Sequence, residues 1–350
     1  MFRHHFERLR PVCPLCRLSR GVESFLTIGK VAVEEDGEIL EGSLICSNRN
    51  CLREHPIVDG IPVVLADASS WLNNQILGVF RREDLSYFTE SILGDLSGHA
   101  SALDRDRGNN AIYAQSHWAE ASPSYLTLFE AASRLLAAPA EGVWIDIGCS
   151  LGRGSFELAK TTNDLVVGLD LNFSMLRMAQ RIRRSGRVKY RSRRVGLVFD
   201  SHDYELPAYP VEQVSFWCAD VAILPFAAST FDGAICMNML DCVASPLGLL
   251  FELGRITMPS SESILATPFD WAAGATEPAS WIGGHSQRST PHQGSSLSVL
   301  KQILSAGSEA GVDTGLFIEA DQDNVTWRLQ THERSTTEYA VYFARLRRKA

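Results

Sequence analysis

The sequence has no long apolar segment and no excess of basic residues, and both absences narrow the class of protein. No apolar run approaches the roughly 20 residues that a membrane-spanning helix needs, so we expect no membrane-embedded part. The basic amino-terminal residues are not followed by an apolar stretch, which argues against a secretory signal and favours the cytoplasm. With 33 Lys and Arg against 41 Asp and Glu, the net charge of −8 argues against broad electrostatic binding of nucleic acid.

The chain divides into three regions by composition. Its 350 residues exceed the length of one small domain, and a hydrophobic content of 45% allows a sizeable core. Residues 1–66 contain short strand-like runs and predict a small β-rich domain. Residues 67–140 predict a mainly helical region, with an exposed loop at 96–110 and a helix that starts at Ser122 and Pro123.

Residues 141–350 alternate between apolar strands and amphipathic helices. The strands are apolar almost throughout, which indicates burial on both faces and therefore a mostly parallel sheet covered by helices. The last two apolar runs, VTWRLQT and EYAVYFARL, predict an antiparallel pair. The predicted fold class is α/β, a Rossmann-like sheet with an antiparallel last strand and a small β-rich domain in front.

The stretch WIDIGCSLGRGSFELAK lacks the G-x-G-x-x-G pattern of a dinucleotide site. Gly148 is followed by Ser150 and Arg153 at the positions of the second and third glycines. The stretch instead has the pattern acidic-x-Gly-x-Ser-x-Gly, formed by Asp146, Gly148, Ser150 and Gly152. This pattern resembles the first motif of the class I S-adenosylmethionine-dependent methyltransferases, although an α/β domain that binds another ligand remains an alternative.

The resemblance continues along the next three strands. Asp170 ends the second strand, 24 residues after Asp146, where an acid of this family would accept hydrogen bonds from both ribose hydroxyls. Asp220 follows the third strand in CADVAILPF, and the resemblance implies contact with the adenine amino group. The remaining cofactor-binding residues that it implies are Leu171, Val221 and Asn238. The resemblance therefore implies an enzyme that uses S-adenosylmethionine to methylate an acceptor.

Four of the eight cysteines lie in two pairs near the amino terminus. Cys13 and Cys16 form a C-x-x-C pair, and Cys46 and Cys51 form a wider second pair about thirty residues later. This spacing predicts a zinc site with four thiolate ligands, with His55 as a substitute ligand. Structural thiols or a disulfide are the alternative. Four closed ligands leave no open position, so the metal would be structural.

The cysteine segment and the following HPIVDGIPVVL resemble the small zinc-ribbon activator protein of tRNA, rRNA and release-factor methyltransferases. A related ribbon precedes the catalytic domain of a bacterial rRNA guanine methyltransferase. Whether the ribbon of this chain binds substrate or a partner is left open, as is the oligomeric state.

Several segments of 141–290 resemble the methyltransferase domain of ovothiol biosynthesis, which methylates a mercaptohistidine. These are an insertion at 183–207, the run NMLDCV and the loop ATPFDWAAGATEPASWIGGHS. Asp241 is the leading catalytic candidate, since a carboxylate there could position or deprotonate an amine or imidazole. A helix N-cap or a solvated loop acid is the alternative for Asp241.

Four further residues have two interpretations each. Trp271, Trp281 and His285 would line the acceptor pocket or simply pack a lid loop. Tyr113 would cover the cofactor or belong to the core.

The sequence leaves three functions open. The acidic charge and the ovothiol-like loops favour methylation of a nitrogen or sulfur of a small molecule, amino acid or peptide. The run from Arg177 to Arg194 contains eight arginines and Lys189, and it predicts either a solvated face or a phosphate-binding patch for RNA. The third alternative is a scaffold that binds the cofactor without catalysis.

Overall fold

The amino-terminal region contains two short helices and a four-stranded antiparallel sheet. The computed structural model describes residues 1–82, 84–121, 123–285, 291–307 and 310–350. Helices α1 and α2 precede a sheet whose strands follow chain order: α1 (Arg3–Leu9), α2 (Pro14–Arg20), β1 (Leu26–Glu35), β2 (Glu38–Cys46), β3 (Glu54–Val58) and β4 (Ile61–Pro62). The tight turn from β3 to β4 at Asp59 and Gly60 uses two residues with positive φ.

Four helices come next: α3 (Ala68–Phe80), α4 (Tyr87–Ser97), α5 (Ala102–Trp118) and α6 (Ser124–Leu135). The exposed loop predicted over 96–110 is wrong, because most of that segment is the start of α5. Ser101 caps α5 by accepting a hydrogen bond from the Asp104 backbone N–H at 3.1 Å. Helix α6 begins one residue after Pro123, and Ser122 lies outside the described residues.

The remaining elements build a seven-stranded sheet with helices on both sides and a separate two-stranded hairpin, β7–β8. In chain order they are β5 (Trp144–Ile147), α7 (Arg153–Thr162), β6 (Val166–Asp170), α8 (Phe173–Ser185), β7 (Arg187–Val195), β8 (Val198–Glu205), β9 (Val214–Cys218), β10 (Phe231–Met237), α9 (Pro246–Ile256), β11 (Thr257–Thr267), α10 (Ser296–Ile303), β12 (Leu316–His332) and β13 (Ser335–Arg348).

The sheet order is β12-β13-β11-β10-β5-β6-β9. The pairs among β11, β10, β5, β6 and β9 are parallel, and β13 is antiparallel to both of its neighbours. The predicted α/β, Rossmann-like fold with an antiparallel last strand is confirmed. All four residues of β5 and all five of β9 are buried, as expected for strands covered on both faces.

The insertion at 183–207 folds mainly as the antiparallel hairpin β7–β8, which packs against α5. Among the described residues, at least seven of the eight arginines from Arg177 to Arg194 form ion pairs with acidic side chains. For example, Arg183 pairs with buried Glu38 of β2, and Arg193 pairs with Asp104 of α5 at 2.9 Å. Much of this basic run is therefore neutralised within the fold.

The amino-terminal sheet joins the edge of the large sheet beside β9. Val63 forms a parallel bridge with Cys218, and the Val64 N–H donates to the Cys218 carbonyl at 2.9 Å. Arg17 of α2 pairs with Glu252 of α9 at 2.7 Å. Within the described ranges, no helix has both the length and the apolar character needed to span a bilayer.

Candidate functional site

The turn after β5 reverses the chain through three residues with positive φ. Gly148 has a φ of 77°, Ser150 of 51° and Gly152 of 78°. A Cβ atom on Gly152 would lie 2.6 Å from Cζ of Phe216, so only glycine fits that position without a shift. Ser150 is held in its less common conformation by a 2.8 Å hydrogen bond from its N–H to the carboxylate of Asp170. The turn and the end of β6 therefore form one unit.

Asp146 lies under this turn and is fully buried. Its Oδ2 accepts a 2.8 Å hydrogen bond from the Ser155 hydroxyl, whereas Oδ1 has no partner among the described residues. Burial raises the pKa of Asp146 to about 7. The unpartnered oxygen is a buried acceptor available to a ligand with an N–H donor.

Asp170 is the last residue of β6, and Leu171 follows it. Asp170 also accepts a 2.8 Å hydrogen bond from the Asn172 N–H, and burial raises the pKa of its carboxyl group. The Leu171 side chain is 42% exposed, while its carbonyl accepts a hydrogen bond from Nε1 of Trp71 at 2.9 Å. Trp71 attaches α3 to this edge of the site. Sequence reasoning missed Trp71 because it belongs to no recognisable motif.

Asp220 and Val221 follow β9, the neighbour of β6. The Asp220 carboxylate accepts a 2.9 Å hydrogen bond from the Ala222 N–H, and Val221 is buried. The carboxyl ends of parallel strands lie at one edge of a sheet. Asp146 near the end of β5, Asp170 at the end of β6 and Asp220 just after β9 are therefore at three adjacent strand ends. This edge is where open α/β sheets bind their ligands.

Asn238 and Asp241 follow β10 on the other side of β5. Asn238 has a φ of 54°, and its buried Oδ1 lacks a partner within the described chain. Asp241 is 1% exposed, and its Oδ2 accepts a 2.6 Å hydrogen bond from the Asp270 N–H. Burial raises the pKa of Asp241.

The alternative interpretations of Asp241 are corrected by these contacts. Ser245, and not Asp241, caps α9, since its hydroxyl accepts a 3.1 Å hydrogen bond from the Gly248 N–H. Asp241 is also not a solvated loop acid, because it is buried. Its carboxylate instead fixes the start of the loop after β11, and its backbone carbonyl accepts a further hydrogen bond from Ala272 N–H at 3.2 Å.

Two tyrosines share the electrostatic environment of this acidic region. Burial, and to a smaller extent the charges of Cys242, Asp170 and Asp241, raise the pKa of Tyr113, on α5, to about 12. Tyr339, on β13, has a raised pKa because of burial and of its interaction with Asp270. Sequence reasoning named Tyr113 but missed Asp270 and Tyr339, since only the fold brings β13 beside the β11 loop.

The aromatic residues of the loop after β11 pack against each other. Trp271 and Trp281 are stacked with ring centroids 5.8 Å apart, and the Trp271 Nε1 donates to the Ser296 hydroxyl at 3.0 Å. The Trp281 Nε1 donates to the Thr276 carbonyl at 2.9 Å. These contacts favour packing of the loop over an acceptor-lining role for the two tryptophans, while His285 stands at the end of the described segment.

The four amino-terminal cysteines form a compact cluster. The Sγ atoms of Cys13, Cys16, Cys46 and Cys51 all lie within 4.8 Å of one another. Four thiolates in a tetrahedron around zinc at about 2.3 Å would have sulfur atoms about 3.8 Å apart. The Cys16–Cys46 and Cys13–Cys51 separations are 3.6 and 4.0 Å, so the cluster fits zinc.

The surroundings of the cysteine cluster also suit thiolate ligands. Arg20 and Asn48 each donate to the Cys16 sulfur at 3.6 Å. The wider second pair is accommodated by a turn in which the Cys51 N–H donates to the Asn48 carbonyl at 2.8 Å. The buried His55 lies beside the cluster, with Nε2 at 3.9 Å from the Cys13 sulfur.

Residues 145–265 match the family model described as Methyltransferase domain. The chain therefore contains a methyltransferase domain. The match covers the segment from β5 into β11, which contains the turn and the three acidic strand ends.

Solved structures similar to this methyltransferase share little sequence with it. The cyclase SpnF is 14% identical with a TM-score of 0.43, over 75% of this chain and 97% of that one. A complex that contains the Haloferax volcanii Trm112 methyltransferase activator matches at 15% identity and a TM-score of 0.41, over 70% and 94%. Haemonchus contortus phosphoethanolamine N-methyltransferase 2 with S-adenosyl-L-methionine matches at 17% and 0.35, over 56% and 38%. No curated protein sequence matches the methyltransferase.

Proposed function

We propose that this enzyme transfers a methyl group from S-adenosylmethionine to a nitrogen or sulfur atom of a small molecule, amino acid or peptide. The supporting observation is the row of carboxylates Asp146, Asp170 and Asp220 at three adjacent strand ends, next to the buried acid Asp241. The bound cofactor supplies an electrophilic methyl group, and the protein aligns it with the acceptor.

The proposed donor site uses each predicted residue in a separate role. The N–H groups at the start of α7 face the donor carboxylate, as helix amino termini favour anions. The unpartnered Oδ1 of Asp146 accepts a hydrogen bond from the donor ammonium group. Asp170 retains lone pairs for the ribose hydroxyls although both of its oxygens already accept backbone hydrogen bonds.

The base of the donor would lie between the ends of β6 and β9. Asp220 accepts a hydrogen bond from the adenine amino group, with Leu171 and Val221 next to the ring. The exposed side chain of Leu171 supports this role, since it lies outside the protein core. Gly148, Ser150 and Gly152 shape the turn under the amino-acid part of the donor, and Asn238 borders the reacting centre.

The acceptor would bind near Asp241, Asp270, Tyr113 and Tyr339. Two acids in this region favour a cationic or N–H-bearing acceptor, such as an amine or imidazole. Asp241 accepts from the Asp270 N–H and from the Cys242 thiol, so we assign it as a positioning residue of the acceptor loop. The zinc held by Cys13, Cys16, Cys46 and Cys51 would be structural, because four thiolates leave no open coordination position.

The RNA alternative is weakened by the ion pairs of the arginine run. A phosphate-binding patch needs basic side chains that are not already neutralised. At least seven of the eight arginines from Arg177 to Arg194 have an acidic partner within the part of the chain that the structure describes.

The donor site is tested by calorimetric titration with S-adenosylhomocysteine. We expect Asp170→Ala to weaken binding at least tenfold, because the variant removes the ribose acceptor and the bond to the Ser150 N–H. Asp323→Ala, an exposed acid of β12, is the matched control and should bind as the wild type does. Unchanged affinity in Asp170→Ala would contradict the proposed site.

The acceptor class is tested by incubating the enzyme with methyl-labelled cofactor and cell extract, followed by separation of small molecules, RNA and protein. Label in the small-molecule or peptide fraction supports the proposal. Label confined to RNA, with a KM that rises steeply with salt, would support the RNA alternative instead. Donor binding without any transfer would support a scaffold.

A further inference from the structure

A cavity of about 800 Å³ lies outside the proposed donor site. It is a partly open cleft lined by residues before α4, by α4, α5 and α8, and by the hairpin β7–β8. None of the donor-site residues Asp146, Gly148, Ser150, Asp170 or Asp220 lines it. Its volume lies in the range of sites for cofactors and other small molecules.

The described lining of this cavity contains six arginine and lysine side chains and three carboxylates. Arg81, Arg82 and Lys189 pair with Asp106, Asp84 and Asp203, so they offer little charge to a ligand. The carboxylate of Glu90 is shared by two arginines. Glu90 of α4 lies 3.8 Å from Nε of Arg107 and 3.1 Å from Arg191. Glu90 thus supplies one carboxylate for two guanidinium groups, and Asp104, the other acid near Arg107, is itself paired with Arg193.

Hydrogen bonding at these two arginines is incomplete as well. Arg107 is 6% exposed, and its Nε and Nη1 are buried without a hydrogen-bond acceptor among the described residues. The Nε of Arg191 is likewise buried without an acceptor among the described residues. Buried guanidinium N–H groups without acceptors are costly, and they are normally satisfied by an anion or by water.

The fold keeps Arg107 in place despite this cost. Its guanidinium packs over the Phe199 ring, with Cζ 4.3 Å from the ring centroid. It also lies against α4 at Gly94, where a Cβ atom would be 1.8 Å from Nη1. Gly94 therefore leaves the room that the buried guanidinium occupies.

The rest of the cavity wall is suited to an organic molecule and not only to an inorganic ion. Leu85, Leu93, Leu103 and Met178 supply apolar surface. Asn110 adds a buried Oδ1 that has no partner within the described ranges and can accept a hydrogen bond from a ligand. An anion at one end, an apolar body and a donor group would together match this wall.

We propose that the cavity binds an organic anion, with a carboxylate or phosphate head group paired to Arg107 and Arg191 and an apolar body against the leucines. Glu90 supplies one negative charge beside Arg107 and Arg191, and the bound head group would supply a second. Desolvation lowers the pKa of Arg107, and an anion beside it would offset that effect. The site is separate from methyl-donor binding and does not depend on the proposed acceptor.

The probes for this site are 1-anilinonaphthalene-8-sulfonate, followed by its fluorescence, and the uncharged N-phenyl-1-naphthylamine. We expect Arg107→Met and Arg191→Met each to weaken binding of the sulfonate at least fivefold and to change binding of the neutral probe less than twofold. Arg328→Met, which removes an exposed arginine of β12, is the control and should leave both probes unaffected. Equal effects on the two probes, or none on the sulfonate, would overturn the proposal.

A variant that is expected to tighten probe binding, and not to weaken it, separates charge recognition from apolar packing. Glu90→Gln removes the shared carboxylate, so it should tighten binding of the sulfonate at least threefold, whereas a purely apolar site would not respond in this way. Competition with phenyl phosphate and with benzoate then identifies the preferred head group. S-adenosylhomocysteine should not displace the sulfonate, and displacement by it would place the probe in the donor site and overturn the proposal.

Folding of the variants is checked by thermal unfolding. Arg107→Met removes a buried charge whose N–H groups lack acceptors, and Glu90 keeps Arg191 as its partner. We therefore expect the Tm of Arg107→Met to equal or exceed that of the wild type without ligand. A large loss of stability would indicate that Arg107 is only a structural ion-pair partner of Glu90 and would contradict a ligand site.

Discussion

Gly152 ends the turn after β5 with a φ of 78°, in contact with Phe216 of β9. Gly152→Ala combines a left-handed conformation with a steric clash, and we expect it to lower the free energy of unfolding by about 2–4 kcal/mol. Urea denaturation measures this loss. Gly274→Ala is the control, because a Cβ atom there meets no heavy atom within 4 Å, and a comparable loss in the control would contradict the steric explanation.

Asp146 makes the stability of the protein depend on pH, and the sign of this dependence follows from its burial. Its pKa is raised from 3.8 to about 7, so the folded protein binds this proton more tightly than the unfolded chain does. The contribution of Asp146 to stability is therefore complete below 3.8 and is lost as the pH rises to about 7. Asp146→Asn should remove this part of the pH dependence of urea unfolding.

The affinity for the donor should also depend on the protonation of Asp146, but it should increase with pH whereas stability decreases. The ionised carboxylate accepts the ammonium group of the ligand, so we expect the affinity for S-adenosylhomocysteine to increase as the pH rises through about 7. Calorimetry on both sides of that pH measures the change, with Asp146→Asn as the comparison. An equal increase in affinity in Asp146→Asn would show that another group is responsible.

At the scale of single elements, the turn, the parallel strands and the antiparallel last pair could be predicted because their signals are local. Helix α5 could not be predicted, since its first half is polar and its buried polar groups have distant partners. Asp104 pairs with Arg193, and Arg107 packs over Phe199, both about 90 residues later in the chain. Partners that the fold alone brings together also explain why Tyr339 and Trp71 were missed.

The loop after β11 depends on Asp241, and this dependence can be measured. Asp241→Ala removes the acceptor of the Asp270 N–H, so we expect faster proteolysis within 268–284 and at least a tenfold lower kcat. Donor affinity should change less than twofold, because Asp241 lies outside the proposed donor contacts. Asp241→Asn keeps an acceptor oxygen and should restore the loop and part of the kcat, whereas a general base would not be rescued by an amide.

At the scale of the whole molecule, the amino-terminal region and the large sheet share one hydrophobic core. Cys13, Cys16 and Cys46 belong to the same buried cluster as Trp217 of β9 and Phe226. The predicted division at residue 66 therefore stays a prediction, and the residues on its two sides are packed together through Val63 and Val64. Loss of the cysteine cluster should therefore also destabilise the edge of the large sheet at β9.

Loss of the proposed zinc tests this coupling. The small β-rich region has little core of its own, so metal binding should supply much of its folding free energy. We expect one zinc per chain in the wild type, no stoichiometric zinc in Cys13→Ser, and at least tenfold faster hydrogen exchange both in β1–β3 and in β9. Cys242→Ser, which changes an exposed thiol outside the cluster, should keep its zinc and its exchange pattern. If Cys13→Ser retains one zinc per chain and full protection from hydrogen exchange, the four cysteines do not form a structural metal site. If it loses zinc but only β1–β3 exchange faster, the amino-terminal region folds independently of the large sheet.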